Sequence, residues 1–418
     1  MKVLVSAIAC DPFGGSEGGI GWRIAEAISC DHEVFVMTSP RHRDNWEAAR
    51  LKGLVPDSMK VRFIGNCRPW HRNRFRARIQ SWKDYLNFSE LQLEEARRWV
   101  AEECLDLAHQ VTYASWRVPS PLWKLSIPFV WGPVGGAARI PRAFYPMLSL
   151  PAMAFEAARE LSSRMGVRRR AFLECVEGCD LVLPANHETA EFLAKFRGDK
   201  PMQRLWSGYL SDRQLGKLSR PSETPRGKGE ILRIFAGGNL EGRKGVLLAL
   251  RALAVAKTKG VKFHYLLAGG GPEVPKLKAE AERLGLDGSE VEFHPGFQGD
   301  AYVRSLQEAE VYLLPSFRET TPVTLLEAMA AGCFPIVANS SAAGEVVTRY
   351  GGEAVAAETI GELVDGLADA IVRVWRERPL LESRTKGISE NVARAFSKDL
   401  FREKLAEAYK KVIQDHEQ

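Results

Sequence analysis

The amino-acid sequence predicts an α/β protein built from two doubly wound parallel sheets. Short apolar runs alternate with helical stretches along most of the chain, which is typical of parallel strands covered by helices on both faces. This alternation lapses once, in a polar stretch rich in Pro, Gly and Ser around residues 209–230, and then restarts. The chain has 418 residues, which is enough for about two or three domains.

The apolar runs place the individual strands. In the N-terminal half the predicted strands are "KVLVSAIA", "EVFVMT", "VRFIG", "DLAHQVT", "PFVWGP" and "DLVLPAN", with a helix at "GWRIAEAIS". In the C-terminal half they are "ILRIFAGG", "FHYLLAGGGP", "VEFHPG", "VYLLPS", "FPIVANS" and "GEAVAA". The predicted organisation is a domain over 1–208, a linker over 209–230, a domain over 231–385, and helices over 386–418 that pack back on the N-terminal domain. Two such sheets facing each other across a cleft would present the carboxyl ends of their strands to one ligand.

Composition narrows the range of partners. The chain is 45% hydrophobic and 26% charged, with a formal net charge of +6. This mild basicity permits an anionic ligand or a membrane surface and gives no reason to expect nucleic acid. Seven scattered cysteines without a CxxC pair indicate reduced thiols rather than a zinc site. These thiols favour a cytoplasmic protein. No run approaches the roughly 18 apolar residues of a spanning helix.

A glycine-rich loop, "DPFGGSEGGIGW", follows the first strand. It lacks the GK[ST] of a Walker A loop, and Ile24 occupies the position where a dinucleotide fingerprint needs Gly or Ala. The second strand ends in Thr38 and Ser39, without the carboxylate that grips an NAD ribose, so NAD chemistry is disfavoured. The simplest interpretation is a flexible turn. Alternatively, the amides of Gly14 and Gly15 contact phosphate oxygens at the helix start.

The second domain opens with "FAGGNLEGRKGVLLA", where Arg243 and Lys244 stand between a strand and a helix. Two cations at that end of a sheet suit a diphosphate. A solvated surface pair is the alternative.

Two carboxylates, Glu319 and Glu327, flank a second strand-to-helix turn in "RETTPVTLLEAMAAG". Glu327 fits a capping box with Thr324, but this leaves Glu319 unexplained. A carboxylate can accept hydrogen bonds from both hydroxyls of a vicinal diol. If both glutamates grip polyols while Lys244 and loop amides hold phosphates, the ligand is a nucleotide sugar.

These residues resemble a known family, the retaining GT-B glycosyltransferases of family 4. The matching pieces of the second domain are "GGNLEGRKG", "LLAGGGPE", "VEFHPGF" and "VYLLPSFRETTPVTLLEAMAAGCFPIVA", which contains the Glu-x7-Glu spacing. The N-terminal half is similar to the family at "GGSEGGIGW" and at "DLAHQVTYASWRVPSPLWKLSIPFVWGPVGG". The resemblance covers nearly the whole chain.

The resemblance implies a role for each matching residue. Glu319 would reach the donor sugar, Glu327 the ribose, and Lys244 the leaving diphosphate, with Arg243 as a second cation because Asn239 stands where the family usually has Arg. His109 would be an active-site residue after a strand. The other implied donor-binding residues are Gly14, Gly15, Gly238, Asn239, Gly270, Gly296, Phe297, Thr320, Thr321, Pro322 and Val323. The implied acceptor-binding residues are Ser16, Glu17 and Trp116.

The implied reaction is transfer of a hexose from a nucleoside diphosphate to a hydroxyl group of a saccharide or lipid-linked acceptor, with retention of configuration. It would serve polysaccharide or glycolipid assembly, proceed by front-face attack, and need neither a cofactor nor a metal. Two alternatives remain open: a nucleotide-sugar epimerase, for which His109 is the one obvious acid–base candidate, and a non-catalytic nucleotide-sugar-binding subunit.

One further stretch suggests a membrane contact. In "WHRNRFRARIQSWKDYLNF" (70–88) apolar residues recur at helical spacing and basic residues cover much of the remaining surface. A plain surface helix is one interpretation. The other is docking to anionic lipid headgroups at the inner face of the membrane. The apolar residues are Phe75, Ile79, Trp82 and Leu86, and the basic ones are Arg72, Arg74, Arg76, Arg78 and Lys83.

Overall fold

The apolar runs of the sequence become buried parallel strands. The computed structural model describes residues 1–67, 74–219, 226, 229–297 and 299–416, and within these it leaves out the side chains of residues 16 and 74–79. The chain folds into two compact units. Unit 1 comprises Met1–Ala137, Leu161–Tyr209 and Lys398–Gln418, and unit 2 comprises Ala138–Glu160 and Leu210–Ser397.

In the described residues of unit 1, six parallel strands form one sheet in the order β3-β2-β1-β4-β5-β6. The strands are β1 (Lys2–Ala7), β2 (Glu33–Thr38), β3 (Met59–Phe63), β4 (Leu107–Thr112), β5 (Phe129–Val134) and β6 (Leu181–Pro184). The strand order reverses between β1 and β4, so the loops that follow these two strands meet at a topological switch point. Ligands of open α/β sheets bind at such points.

Helices alternate with these strands along the chain. They are α1 (Ser16–Ser29), α2 (Arg43–Leu51), α3 (Arg74–Glu103), α4 (Leu150–Gly166), α5 (Arg170–Gly178) and α6 (His187–Arg197). Helix α4 begins in unit 2, and its residues from Leu161 onward belong to unit 1. Helix α6 shows a clear start signal, since the Asn186 side chain accepts a hydrogen bond from the Thr189 amide.

Unit 2 repeats the architecture, with six parallel strands in its described part, ordered β12-β11-β10-β7-β8-β9. They are β7 (Leu232–Gly237), β8 (Phe263–Ala268), β9 (Val291–His294), β10 (Val311–Leu313), β11 (Phe334–Ala338) and β12 (Glu353–Val355). Here the reversal lies between β7 and β10, which pair directly through Val311 and Ile234. The loops after β7 and β10 therefore flank the switch point of unit 2.

The remaining helices complete the chain. They are α7 (Asp212–Leu218), α8 (Val246–Thr258), α9 (Val274–Arg283), α10 (Gly299–Glu308), α11 (Val323–Ala330), α12 (Ser341–Tyr350), α13 (Ile360–Arg376), α14 (Leu381–Ala395) and α15 (Lys398–His416). Helix α15 belongs to unit 1, where Phe401, Leu405 and Tyr409 enter the core beside β1 and α1. The predicted α/β class and all twelve predicted strands are confirmed.

The units differ from the predicted domain boundaries in three places. Residues 138–160 belong to unit 2, although their sequence position lies inside the predicted N-terminal domain. Helix α14 also belongs to unit 2, because Leu381, Ile388 and Val392 are buried there. The predicted linker contains helix α7. Its sequence is polar, but Ser211 and Gln214 form a capping box that starts the helix.

Candidate functional site

The switch point of unit 2 brings together the two stretches that the sequence singled out. Lys244 and Arg243 follow β7 in a short 3-10 turn, and Glu319 follows β10. Lys244 Nζ donates a hydrogen bond to Glu319 Oε1 at 2.5 Å, and Arg243 Nη1 lies 3.5 Å from the same oxygen. Only 12% of the Glu319 side chain and 14% of the Lys244 side chain are exposed. The result is a largely buried cluster of two cations and one carboxylate.

Backbone contacts hold the two loops against each other. The Phe317 amide donates to the Arg243 carbonyl at 2.9 Å. Gly245 has φ +68°, and a Cβ there would lie 2.2 Å from the Pro315 carbonyl oxygen. Only glycine permits both this backbone conformation and this close approach. The "RKG" sequence therefore places the two cations at the start of α8, directly against the loop that carries Glu319.

The cluster keeps Glu319 ionised. Burial alone would raise the pKa of the Glu319 carboxyl, but the charges of Lys244 and Arg243 outweigh it. Hydrogen bonds from Lys244 and Ser316 act in the same direction, and the pKa is lowered overall. Ser316 Oγ lies 2.7 Å from Glu319 Oε1, and the Glu319 amide donates to Ser341 Oγ at 2.9 Å. The carboxylate is thus fixed by its own loop and by the start of α12.

Glu327 lies on α11 and has different partners. Tyr302 donates to its Oε2 at 2.6 Å and Gln214 to its Oε1 at 3.2 Å. Burial raises the pKa of Tyr302 well above its ordinary value, and the Glu327 charge adds to this shift, so the hydroxyl stays protonated. The capping-box alternative was wrong: α11 begins at Val323, its N-cap residue is Pro322, and it has no side-chain capping bond. Glu327 is therefore not a helix cap.

The glycine loops of unit 2 lie at the same edge of the sheet. Gly238 follows β7, Gly270 follows β8, and Gly296 follows β9. The first two loops touch, since a Cβ on Gly269 would lie 1.9 Å from the Gly238 carbonyl oxygen. Gly270 and Gly238 themselves border open space. Such positions leave backbone accessible to a ligand.

Two other predicted donor-binding residues already have local partners. Asn239 Nδ2 donates to Glu241 Oε1 at 2.6 Å. Phe297 stacks on His294 with ring centroids 3.8 Å apart, and the Gly296 amide donates to His294 Nδ1. This stacked pair forms a flat ring surface at the end of β9 and the start of the loop after it, which is the kind of surface that receives a planar base.

The turn before α11 contributes fewer amides than the sequence suggested. The Val323 amide donates to the Thr321 carbonyl at 3.0 Å, and Pro322 has no N–H. Thr320 and Thr321 lie between Glu319 and this turn, so their backbone follows the carboxylate directly. The Val323 amide is thus engaged within its own turn, and a phosphate contact from this turn stays a prediction.

In unit 1, His109 is not placed as predicted. It lies within β4, not after it, and is fully buried. Its Nε2 lies 2.7 Å from the Gly132 carbonyl and its Nδ1 lies 2.6 Å from the Tyr409 hydroxyl. A carbonyl only accepts, so Nε2 carries the proton and Nδ1 accepts from Tyr409. Burial lowers the pKa of His109 to about 4, which makes it a neutral tether between the sheet and α15.

Trp116 is also buried, contrary to an acceptor-binding role. It is 1% exposed, and its ring packs against Phe172 and Phe192 at centroid distances of 5.3 and 4.6 Å. The polarity of the neighbouring "YASWRVPS" stretch concealed this core position. Aromatic rings of this size fill cores more often than they line polar sites.

The glycine-rich loop of unit 1 ends at α1, near the switch point of its sheet. Gly15 precedes α1 and borders open space, whereas the Gly14 amide donates to the Asp11 carbonyl at 3.2 Å. Glu17 Oε1 accepts from the Ala114 amide at 2.6 Å, which links α1 to the loop after β4. Burial raises the pKa of Glu17, although this bond opposes the shift. The side chain of Ser16 lies outside the described residues.

Several contacts of the site carried no visible signal in the sequence. Gln214, Tyr302 and Ser341 reach the glutamates from elements that are distant along the chain. A fourth contact comes from residues 138–160, where Glu156 bonds the guanidinium of Arg318. Ser316 and Arg318, by contrast, stand inside a matched motif, in "PSFRE".

Two further expectations from the sequence were a membrane contact and a site without metal. None of the helices in the described part of the chain combines the length and apolar character needed to cross a bilayer. The described residues also contain no cluster of three or more His, Cys, Asp or Glu side chains arranged to hold a metal. Of the predicted membrane-facing residues, Trp82 and Leu86 lie on α3 and are 42% and 43% exposed. Arg72 and the side chains of Arg74, Phe75, Arg76, Arg78 and Ile79 lie outside the described residues.

Comparison with known proteins shows what part of this chain is similar to. Residues 222–383 match the family described as glycosyl transferases group 1. The putative colanic acid biosynthesis glycosyltransferase WcaL of Escherichia coli (strain K12) is 33% identical over 174 residues, covering 36% of this chain and 42% of that protein. A GDP-mannose-dependent α-(1-6)-phosphatidylinositol dimannoside mannosyltransferase of Mycobacterium tuberculosis (strain ATCC 25177 / H37Ra) is 31% identical over 117 residues, covering 28% of this chain and 29% of that protein. The matches thus span less than half of these relatives.

Solved structures extend the likeness to the whole fold. The lipopolysaccharide outer core galactosyltransferase WaaB has a TM-score of 0.62 at 17% identity, covering 98% of this chain and 99% of that one. Anabaena Alr3699/HepE, solved in complex with UDP and glucose, has a TM-score of 0.60 at 14% identity, covering 98% of this chain and 100% of that one. The chain has the GT-B fold, and its residues 222–383 match the family described as glycosyl transferases group 1.

Proposed function

We propose that this protein is a retaining glycosyltransferase that moves a hexose from a nucleoside diphosphate to a hydroxyl acceptor. The observation that carries the proposal is the cluster at the switch point of unit 2. Lys244 and Arg243 supply positive charge for a diphosphate, and Glu319 supplies an acceptor for sugar hydroxyls. Cations of this kind and an ionised carboxylate in one partly buried site fit a ligand that carries both phosphates and a polyol.

The proposed chemistry needs positioning more than an enzymic acid and base. The Lys244 ammonium has three donors, so it can bond Glu319 and still meet a departing phosphate oxygen. Negative charge grows on that oxygen as the glycosidic bond breaks, and a preorganised cation stabilises it. In front-face attack the departing phosphate takes the acceptor's proton. The glutamates then act as grips on hydroxyl groups, with Glu319 on the sugar and Glu327 on the ribose.

The nucleoside is proposed to lie over the loops after β8 and β9. Gly270 borders open space there, and the stacked pair of His294 and Phe297 offers a flat ring surface. The choice among uracil, guanine and adenine depends on backbone contacts in these loops. Thermal unfolding with UDP, GDP and ADP tests this part. A diphosphate present at about 100 times its Kd adds about 2.7 kcal/mol of stability if it binds only the folded state.

We further propose that the reaction is independent of divalent metal ions and of any cofactor. Lys244 and Arg243 provide the positive charge that a metal supplies in other transferases, and α8 begins directly after them. Full activity after dialysis against EDTA is the expected result. Loss of activity that Mg²⁺ or Mn²⁺ restores would contradict it.

The acceptor is proposed to be a saccharide or a lipid-linked saccharide, within polysaccharide or glycolipid assembly. WcaL is named for colanic acid biosynthesis, and the mycobacterial relative is named for a phosphatidylinositol dimannoside. In unit 1, Ser16 and Glu17 at the start of α1 are the proposed acceptor-side residues. Trp116 and His109 are excluded from direct contact because both are buried and packed.

A lipid-linked acceptor would place the protein at the cytoplasmic face of an anionic membrane. The partly exposed Trp82 and Leu86 of α3, with the basic residues of 70–88, are the proposed contact. Flotation with vesicles containing phosphatidylglycerol tests it. We expect co-flotation at low salt that falls as salt rises. Absence of co-flotation at low salt would remove the membrane contact and leave the transfer reaction untouched.

The burial of His109 weighs against the epimerase alternative, because it removes the one acid–base candidate that this alternative had. Incubation with a sugar donor and no acceptor separates the three functions. Slow release of free sugar supports a transferase. Isomerised donor would support an epimerase, and tight binding of unchanged donor would support a non-catalytic subunit.

A further inference from the structure

Residues 138–160, here called the insert, contact the loops that carry the proposed donor site. Phe144 packs against Phe317 with ring centroids 4.5 Å apart and the ring planes tilted by 30°. Leu148 covers Gly242, where a Cβ would lie 2.9 Å from the leucine Cδ2 atom. Lys276 Nζ also donates to the Met147 carbonyl at 2.8 Å. The insert and these loops all belong to unit 2.

The strongest of these contacts is an ion pair. Glu156, on α4, accepts a hydrogen bond from the guanidinium of Arg318, and only 7% of the Glu156 side chain and 16% of the Arg318 side chain are exposed. A second cation, Arg159, lies 3.9 Å from the same carboxylate. A charge-assisted bond in such a shielded position holds both partners in one geometry. Arg318 is the residue directly before Glu319.

The backbone of Arg318 in turn contacts Arg243, one of the two cations proposed to bind the diphosphate. Its carbonyl oxygen accepts a hydrogen bond from Arg243 Nη1 at 2.8 Å, while Arg243 Nε donates to Glu241 at 3.0 Å. The Arg243 guanidinium is therefore fixed from two sides, and one of them depends on the path of the Arg318 backbone. A guanidinium held in place loses less conformational entropy when it binds a phosphate.

We propose that Glu156 is a positioning residue of the donor site: it holds Arg318, whose carbonyl orients Arg243 toward the diphosphate. The inference rests on the proposed function and deepens it, because it gives the insert a role in diphosphate recognition. In this proposal Glu156 does not contact the substrate. Its effect must therefore depend on Arg243 and on the phosphates of the ligand.

The test uses the full chain and the variant Glu156→Gln, which keeps the side-chain size and removes the charge. Glu160→Gln is the matched control, since Glu160 lies one turn further along the same helix and pairs with the exposed Arg142. Calorimetry measures the Kd of the tightest binder among UDP, GDP and ADP, and then of the corresponding nucleoside. Each measurement is repeated in an Arg243→Gln background, and thermal unfolding checks that every variant folds.

The expected result is a pattern across ligands and backgrounds. Glu156→Gln weakens diphosphate binding about tenfold, as for loss of one charge-assisted contact, and Glu160→Gln changes it by less than about twofold. Nucleoside binding stays within about twofold for both, and in the Arg243→Gln background Glu156→Gln has almost no further effect, because coupled residues are non-additive.

Four results would overturn the inference. An equal loss for nucleoside and diphosphate would show a general structural role, and an undiminished loss in the Arg243→Gln background would show that Arg243 is not the intermediary. Unchanged diphosphate binding in Glu156→Gln would leave the proposed function intact and remove only this role. If wild-type protein binds none of the three diphosphates, the proposed function and this inference both fail.

Discussion

Lys244 Nζ lies 2.5 Å from Glu319 Oε1, although the two residues are 75 positions apart in the chain. The contact exists because β7 and β10 are neighbours where the strand order reverses, so the loops after them meet. The two charges compensate each other in a site that is largely shielded from water. In the proposed function, a nucleoside-diphosphate sugar separates this ion pair: its phosphates bind Lys244 and its sugar hydroxyls bind Glu319.

Removal of the Lys244 charge should impair turnover more than folding. In Lys244→Met, the departing phosphate loses one preorganised cation, which predicts a fall in kcat on the order of a hundredfold. Initial rates with the identified donor check this. Lys257→Met is the matched control, because Lys257 lies on the exposed side of the following helix and pairs with Glu290. Wild-type kcat in Lys244→Met would contradict the leaving-group role.

The two glutamates should respond differently to loss of charge. Glu327→Gln should weaken nucleotide binding by about 1–2 kcal/mol, because a charged hydrogen bond to the ribose becomes neutral. The NH2 group of the new amide also replaces one of the two oxygens that accept from Tyr302 and Gln214, so one of these donors loses its acceptor. Calorimetry with the preferred nucleoside diphosphate measures the loss.

Glu319→Gln should instead leave the affinity for the bare diphosphate nearly unchanged and lower the rate of transfer. The substitution releases Lys244 from its ion pair, so the phosphate site keeps its cation, and only the sugar loses a partner. Calorimetry and transfer rates are compared in both glutamate variants. Equal losses of nucleotide affinity, with full activity in Glu319→Gln, would reduce Glu319 to a residue that structures its loop.

The strands and the donor loops could be predicted from the sequence because their signals are local. A strand buried on both faces is an apolar run bounded by Gly or Pro, and "RKG" and the two glutamates stand at the ends of such runs. The unit to which a segment belongs depends on contacts with residues that are distant in the sequence, so no local signal predicts it. Residues 138–160 lie between β5 and the end of α4 in the chain, yet Phe144 packs on Phe317, which is far along the sequence.

The roles predicted for His109 and Trp116 were wrong for the same reason: contacts with distant parts of the chain bury both side chains. His109 occupies a promising position beside a matched motif, but its partner Tyr409 is 300 positions away. Trp116 likewise packs on Phe172 and Phe192 from two later helices. A motif records which residue types are present at a spacing. It does not record whether a distant helix has already enclosed one of them.

A buried ion pair far from the site predicts a large effect on stability. Glu310 and Arg378 form two hydrogen bonds, at 2.7 and 3.1 Å, and their side chains are 0% and 6% exposed. Arg378→Met leaves a buried carboxylate without its main counter-charge, so we expect a loss of about 3–5 kcal/mol in the free energy of unfolding. Urea unfolding followed by circular dichroism measures it.

The control for this pair lies on the surface. Arg373 pairs with Glu353 at 3.2 Å, and half of the Arg373 side chain is exposed. Arg373→Gln should cost less than about 1 kcal/mol, because solvent screens the pair. Similar losses for the two variants would show that burial does not set the strength of the Glu310–Arg378 pair.

His109 should make unit 1 sensitive to acid. Burial lowers the pKa of His109 to about 4 from an ordinary 6.5, so between these values the unfolded chain binds a proton that the folded chain does not. Stability is therefore retained above pH 6.5 and lost as the pH falls toward 4, by about 2 kcal/mol between pH 7 and pH 5. Urea unfolding at both pH values measures the difference. His109→Gln should flatten this dependence and His187→Gln, at an exposed position, should preserve it. An unchanged pH dependence in His109→Gln would show that His109 does not set the acid sensitivity.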